Sequence, residues 1–87
     1  MVYRIKINVS SEAKNEEYFL EDFQKLIDYI NNEYIGSMVE QKYDNYEYNK
    51  SILVKFNYFV VPESKPVIFF DSFVSRLQKK FERLSIW

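Results

Sequence analysis

The period of hydrophobic and polar residues changes along the chain, and each stretch of constant period predicts an element. Over residues 2–9, Tyr3, Ile5, Ile7 and Val9 alternate with Arg4, Lys6 and Asn8. Period two predicts a strand with one buried and one wet face. Over residues 15–34 the period lengthens. Phe19, Leu20, Phe23, Leu26, Ile27, Ile30 and Tyr34 form one helical stripe. Asn15 is placed to cap this helix and Gly36, the only glycine, to end it. Glu21 and Lys25 form a pair four residues apart in the favourable order.

Residues 38–61 predict a hairpin. Ile52, Val54, Phe56, Tyr58 and Val60 alternate with Leu53, Lys55, Asn57 and Phe59. A turn at Asn49-Lys50 sets Val39 opposite Val60, Tyr43 opposite Phe56 and Asp44 opposite Lys55. A turn at Asp44-Asn45 is the competing reading, favoured by the turn chemistry of Asp and Asn. The segment Pro62–Pro66 ends the strand. Val67–Phe70 reads either as a short strand or as the start of the last helix. Asp71 or Ser72 then caps a helix with Phe73, Leu77, Phe81 and Leu84 on one stripe. The expected order is β-α-β-β-(β)-α. Such a chain predicts an α+β two-layer sandwich, with two helices on one face of a small antiparallel sheet.

Composition fits a core of unusual make-up. The 87 residues suffice for a single domain, 1–87, and hydrophobic residues are 47% of them. Aromatics are 20%, and each buried ring removes about 150–250 Å² from water, which helps a short chain build a core. No run of apolar residues approaches the roughly 20 needed to span a membrane, and residues 1–11 do not form a signal peptide. The expected location is the cytoplasm. Phe, Tyr, Asn, Lys and Ile make up 40 of the 87 residues, which points to an AT-rich gene, as in low-GC bacteria and their phages.

The missing residue types exclude most catalysis. With no Cys there are no disulfides, thiol nucleophiles or thiolate metal sites. With no His, the commonest general base and metal ligand is gone. A single glycine leaves no phosphate-cradling loop. Glu17 and Glu21 share a helix face but lack a loop of accompanying oxygen ligands. The expectation is a protein without catalytic residues, metal or cofactor.

Charge and aromatic placement give the candidate binding surfaces. The net charge of −1 hides an asymmetry. Residues 12–33 hold seven acids and two lysines, whereas residues 72–87 hold four cations and one acid. Arg76, Lys79, Lys80 and Arg83 form one helical stripe, a candidate track for phosphates. Tyr43, Asp44, Tyr46, Glu47 and Tyr48 form a Tyr/acidic arm, and tyrosine is a frequent anchor at protein interfaces. Depending on register, the sheet face away from the helices displays Arg4, Lys6, Lys55, Asn57 and Phe59, a mixture suited to stacking unpaired bases.

Three functional expectations follow. The first is a small protein-binding module, of the kind phages and mobile elements use as inhibitors against host defence. It would block a partner's surface through the arm, Glu17 and Glu21. The alternative is a nucleic-acid-binding module using the basic stripe. The third is a homodimer, since residues 38–48 carry no signal of edge protection and a terminal Trp87 needs something to pack against.

Overall fold

A computed structural model describes residues 2–11, 16–34, 37–46, 49–57 and 65–87. These residues form strand β1 (Val2–Ser11), helix α1 (Glu16–Glu33), strands β2 (Ser37–Tyr46) and β3 (Asn49–Asn57), helix α2 (Pro66–Lys80) and strand β4 (Leu84–Ile86). The four strands make one antiparallel-paired sheet in the order β2-β3-β1-β4. The α+β architecture is therefore as the periodicity predicts.

One face of the sheet is apolar because β1 and β3 alternate in phase. Tyr3 pairs with Phe56, Ile5 with Val54 and Ile7 with Ile52. Ile7, Val9, Ile52, Val54 and Phe56 are fully buried there. Helix α1 covers this face with Phe19, Phe23, Leu26, Ile27 and Ile30, and α2 adds Phe73 and Leu77 to the same core. Burying such a side chain contributes about 1.5–3 kcal/mol. Leu20, expected on the α1 stripe, is 46% exposed instead. It adjoins Phe19 in sequence and falls off the narrower buried face. Asn15 and Gly36, the expected helix boundaries, lie outside the described residues.

Aromatic rings fix α2 to the sheet. Phe56 meets Phe69, Phe70 and Phe73 at centroid distances of 5.4, 5.7 and 5.0 Å. Phe70 also meets Tyr3 edge-on at 5.8 Å. Edge-to-face pairs of this kind add about 0.5–1.5 kcal/mol beyond buried area. This is why Val67–Phe70 belong to the helix. Pro66 opens α2 at its first turn, where a missing N–H costs nothing, so the helix starts earlier than Asp71 or Ser72.

The C-terminal part departs from expectation. The helix stops at Lys80, and the N–H of Phe81 donates to the Leu77 carbonyl at 2.9 Å. Leu84 is buried, but as the first residue of β4 rather than as a helical residue. Strand β4 pairs Ile86 with Val9. Trp87 continues the pairing, exchanging backbone hydrogen bonds with Asn8 at 2.8 and 3.0 Å.

The hairpin register also differs. The chain reverses between Tyr46 and Asn49, not at Asn49-Lys50 or Asp44-Asn45. Val39 pairs with Val54, Tyr43 with Ser51 and Asp44 with Lys50. Pairing with β1 fixes which face of β3 is buried, and this register sets Val39 on that face and Asp44 beside a cation. Two bulges, between Val39 and Gln41 and between Asp44 and Tyr46, absorb the mismatch. Tyr58, Phe59, Val60 and Val61 lie outside the described residues.

Both sheet edges are guarded. Strand β2 is an edge, and against the sequence reading it carries bulges, which turn an edge away from a second strand. Its Val39 N–H donates to Asn31 Oδ1 of α1 at 3.2 Å. Strand β4 has only three residues, and Gln78 of α2 donates to its Ile86 carbonyl at 2.8 Å. No helix among the described residues is long and apolar enough to cross a membrane.

Candidate binding surfaces

The first turns of α1 and the hairpin end of β2 and β3 lie towards the same end of the sheet. The topology brings them together in steps. Ser10 of β1 pairs with Asn49 of β3, and α1 begins five residues after β1 ends. Lys50 joins the two features. Its ammonium bonds Asp44 of β2 and lies 5.9 Å from the ring centre of Phe23 in α1. Asp44 keeps 78% of its side chain exposed despite this bond, whereas Lys50 keeps 17%. The carboxylate therefore faces outward and the cation lies inward.

Glu21, two residues from Phe23 and so on the solvent side of α1, bonds Lys25 at 3.0 Å. That hydrogen bond, and then the lysine's charge, hold the Glu21 carboxyl below its usual pKa. Glu17 lies in the first turn of α1 and Tyr46 at the end of β2, by backbone position. Glu47 and Tyr48 lie outside the described residues. Tyr43 departs from the group. Its ring lies 5.5 Å from the Lys6 ammonium, on the sheet face away from the helices.

The four cations of the basic stripe differ in their surroundings. Arg83 lies beyond the end of α2, where Nη2 donates to Asp22 Oδ1 at 2.6 Å and the guanidinium stacks 5.0 Å from the Tyr18 ring centre. Asp22 is only 6% exposed, so this pair ties α1 to the turn before β4. Lys80 lies 5.1 Å from the Tyr29 ring centre, on the flank of α2 towards α1. Arg76 and Lys79 are exposed. Lys79, Lys80 and Arg83 do share an open groove of about 690 Å³ with Asp22 and Lys25. The groove mixes both signs of charge. Among the described residues, no three His, Cys, Asp or Glu side chains converge as metal ligands.

The third surface is the sheet face that no described element covers. Alternation along β1 puts Arg4, Lys6 and Asn8 there, and β3 adds Lys55, as the sequence suggests. Glu40 bonds Arg4 Nε at 2.8 Å and Nη2 at 3.3 Å. This bond holds the guanidinium pKa up and the Glu40 carboxyl below its usual value. Ser51 is fully buried in this face, donating to Asn8 Oδ1 at 2.8 Å and accepting from Asn45 Nδ2 at 2.7 Å. The sequence reading missed two members of the face, Tyr43 and Trp87. It also placed Asn57 and Phe59 there, but the Asn57 side chain and Phe59 lie outside the description.

Comparison with protein-family models, with curated proteins and with solved structures finds no match.

Proposed function

We propose that this protein is a non-enzymatic binding module that occupies the surface of a partner protein with its acidic end. The contact set is Asp44, Tyr46, Glu47 and Tyr48 from the hairpin, with Glu17 and Glu21 from α1. The supporting observation is the Asp44–Lys50–Phe23 contact, which joins the hairpin to α1 and leaves the Asp44 carboxylate outward. The partner surface that fits is basic and able to receive tyrosine rings. Opposite charge would steer encounter and make the association rate fall with salt. Blocking is the simplest mechanism for so small a chain lacking His and Cys. An inhibitor of phage or mobile-element origin, acting in the cytoplasm, belongs to the same proposal and rests on size and composition.

The test is affinity capture from a low-GC bacterial lysate treated with nuclease, followed by variants against the captured protein. Asp44→Lys combined with Glu21→Lys is expected to abolish capture, while Lys79→Glu leaves it intact. Equal capture by all three proteins removes the acidic end as the interface.

A further inference from the structure

The sheet register aligns four residues in one row across the uncovered face. Tyr43 of β2 pairs with Ser51 of β3, Ser51 pairs with Asn8 of β1, and Asn8 exchanges backbone hydrogen bonds with Trp87. Residues directly opposite one another in a ladder project from the same face. The row therefore runs from an aromatic ring at one edge, over a hydrogen-bonded Asn8–Ser51 floor, to a second aromatic ring at the other. Three strand spacings separate the two rings, about 14 Å. Trp87 is 54% exposed and Tyr43 39%.

The next two rows on this face, Lys6 opposite Leu53 and then Arg4 opposite Lys55, supply charge of one prevailing sign. Arg4, Lys6 and Lys55 share the face with a single described carboxylate, Glu40. The Lys6 ammonium lies over the Tyr43 ring, 5.5 Å from its centre, so a cation is already held at one aromatic platform. The chain's net charge of −1 does not oppose this, because the acids concentrate on α1, on the other side of the sheet. Local potential, not the total, decides what a face attracts.

We propose that this face binds single-stranded nucleic acid. Tyr43 and Trp87 each stack an unpaired base, and Lys6, with Arg4 and Lys55 further along the strands, contacts phosphates on one side of that row. Asn8, held by Ser51, forms the polar floor between the two platforms. Paired bases have no exposed ring faces to offer, so a duplex is excluded from stacking. This surface is separate from the acidic end, and either reading can fail without the other.

Trp87 is the only tryptophan, so its fluorescence reports the proposed contact directly. The probe is oligothymidylate, titrated into the full chain at low ionic strength, with a duplex of equal length and an oligoglutamate as comparisons. The expected result is saturable quenching by oligothymidylate and much weaker response to the other two. Anisotropy of labelled oligothymidylate then compares variants. Tyr43→Ala and Trp87→Ala are each expected to weaken binding roughly 5- to 150-fold, the range for losing one stacked base. With two or three phosphates neutralised, log affinity should fall against log salt with a slope of roughly −1.4 to −2.1. Lys79→Glu with Lys80→Glu, on α2, should leave the affinity unchanged. No quenching, a duplex bound as tightly, or oligoglutamate bound more tightly would each overturn the proposal. So would loss of binding in the α2 variant alone. Circular dichroism of each variant separates lost binding from lost folding.

Discussion

Replacing Arg83 with alanine distinguishes a structural cation from a phosphate contact. Arg83 donates to a nearly buried Asp22 at 2.6 Å and stacks on Tyr18. A hydrogen bond to a charged group contributes about 1.5–3 kcal/mol net. The Arg83 side chain is 58% exposed, so water screens the pair and the lower end applies, about 1.5 kcal/mol. The stack on Tyr18, at an exposed site, adds about 0.5 kcal/mol. The sum is about 2 kcal/mol, which for a chain of this size lowers the melting temperature by about 8–16 °C. Thermal unfolding followed by circular dichroism reads this shift. Lys79→Ala, at an exposed position on the same stripe, should stay within about 0.5 kcal/mol of the parent. A double-mutant cycle of Asp22→Ala with Arg83→Ala isolates the pair and should give a coupling of about 1–2 kcal/mol. If Arg83→Ala melts with the parent, or the coupling is zero, the pair does not hold α1 to the β4 turn. Arg83 would then return to the basic stripe as a binding residue.

Other substitutions test the remaining contacts. Phe56→Ala removes the ring on which Phe69, Phe70 and Phe73 converge and should cost about 3–5 kcal/mol, enough to leave the chain largely unfolded at moderate urea. Phe56→Leu should retain more than half of that stability in the same titration. Asn31→Ala uncovers the Val39 N–H at the β2 edge and should speed its amide exchange with little change in melting temperature. Glu21 and Glu40 have folded-state pKa values below their unfolded ones, so their stabilisation is present above the unfolded pKa and lost as pH falls through the folded value. Glu40→Gln should flatten the acid limb of a stability–pH curve, and an unchanged limb would show that the Arg4–Glu40 bond contributes nothing.

How much was legible in the sequence depended on how local the signal was. The faces of β1 and β3 and the buried stripe of α1 follow from period alone, because each element buries one face against a single core. The β2 register does not, because its two bulges break the alternation that would have revealed it. Pro66 reads in the sequence as the close of a loop, and the apolar run Val67–Phe70 has the length and composition of a strand as well as of a helix. Contact with Phe56 and Tyr3 decides between them, and that contact is not local. The fourth strand was hidden because Phe81 and Leu84 continue the helical spacing of Phe73 and Leu77 by coincidence. The same distinction applies to the surfaces. Arg4 and Lys6 could be assigned to the uncovered face from alternation. Tyr43 and Trp87 could not, since their alignment requires the order β2-β3-β1-β4. Arg83 looked like one of four equivalent cations until the fold brought Asp22 beside it.

The most direct measurement of the binding account is the affinity of the captured partner for two variants, taken side by side with the parent. One carries Asp44→Lys and Glu21→Lys at the acidic end, and the other carries Trp87→Ala on the uncovered sheet face. The account predicts that the first loses the partner and the second keeps it at parental affinity. Retention by the first variant, with its fold intact by circular dichroism, would contradict it.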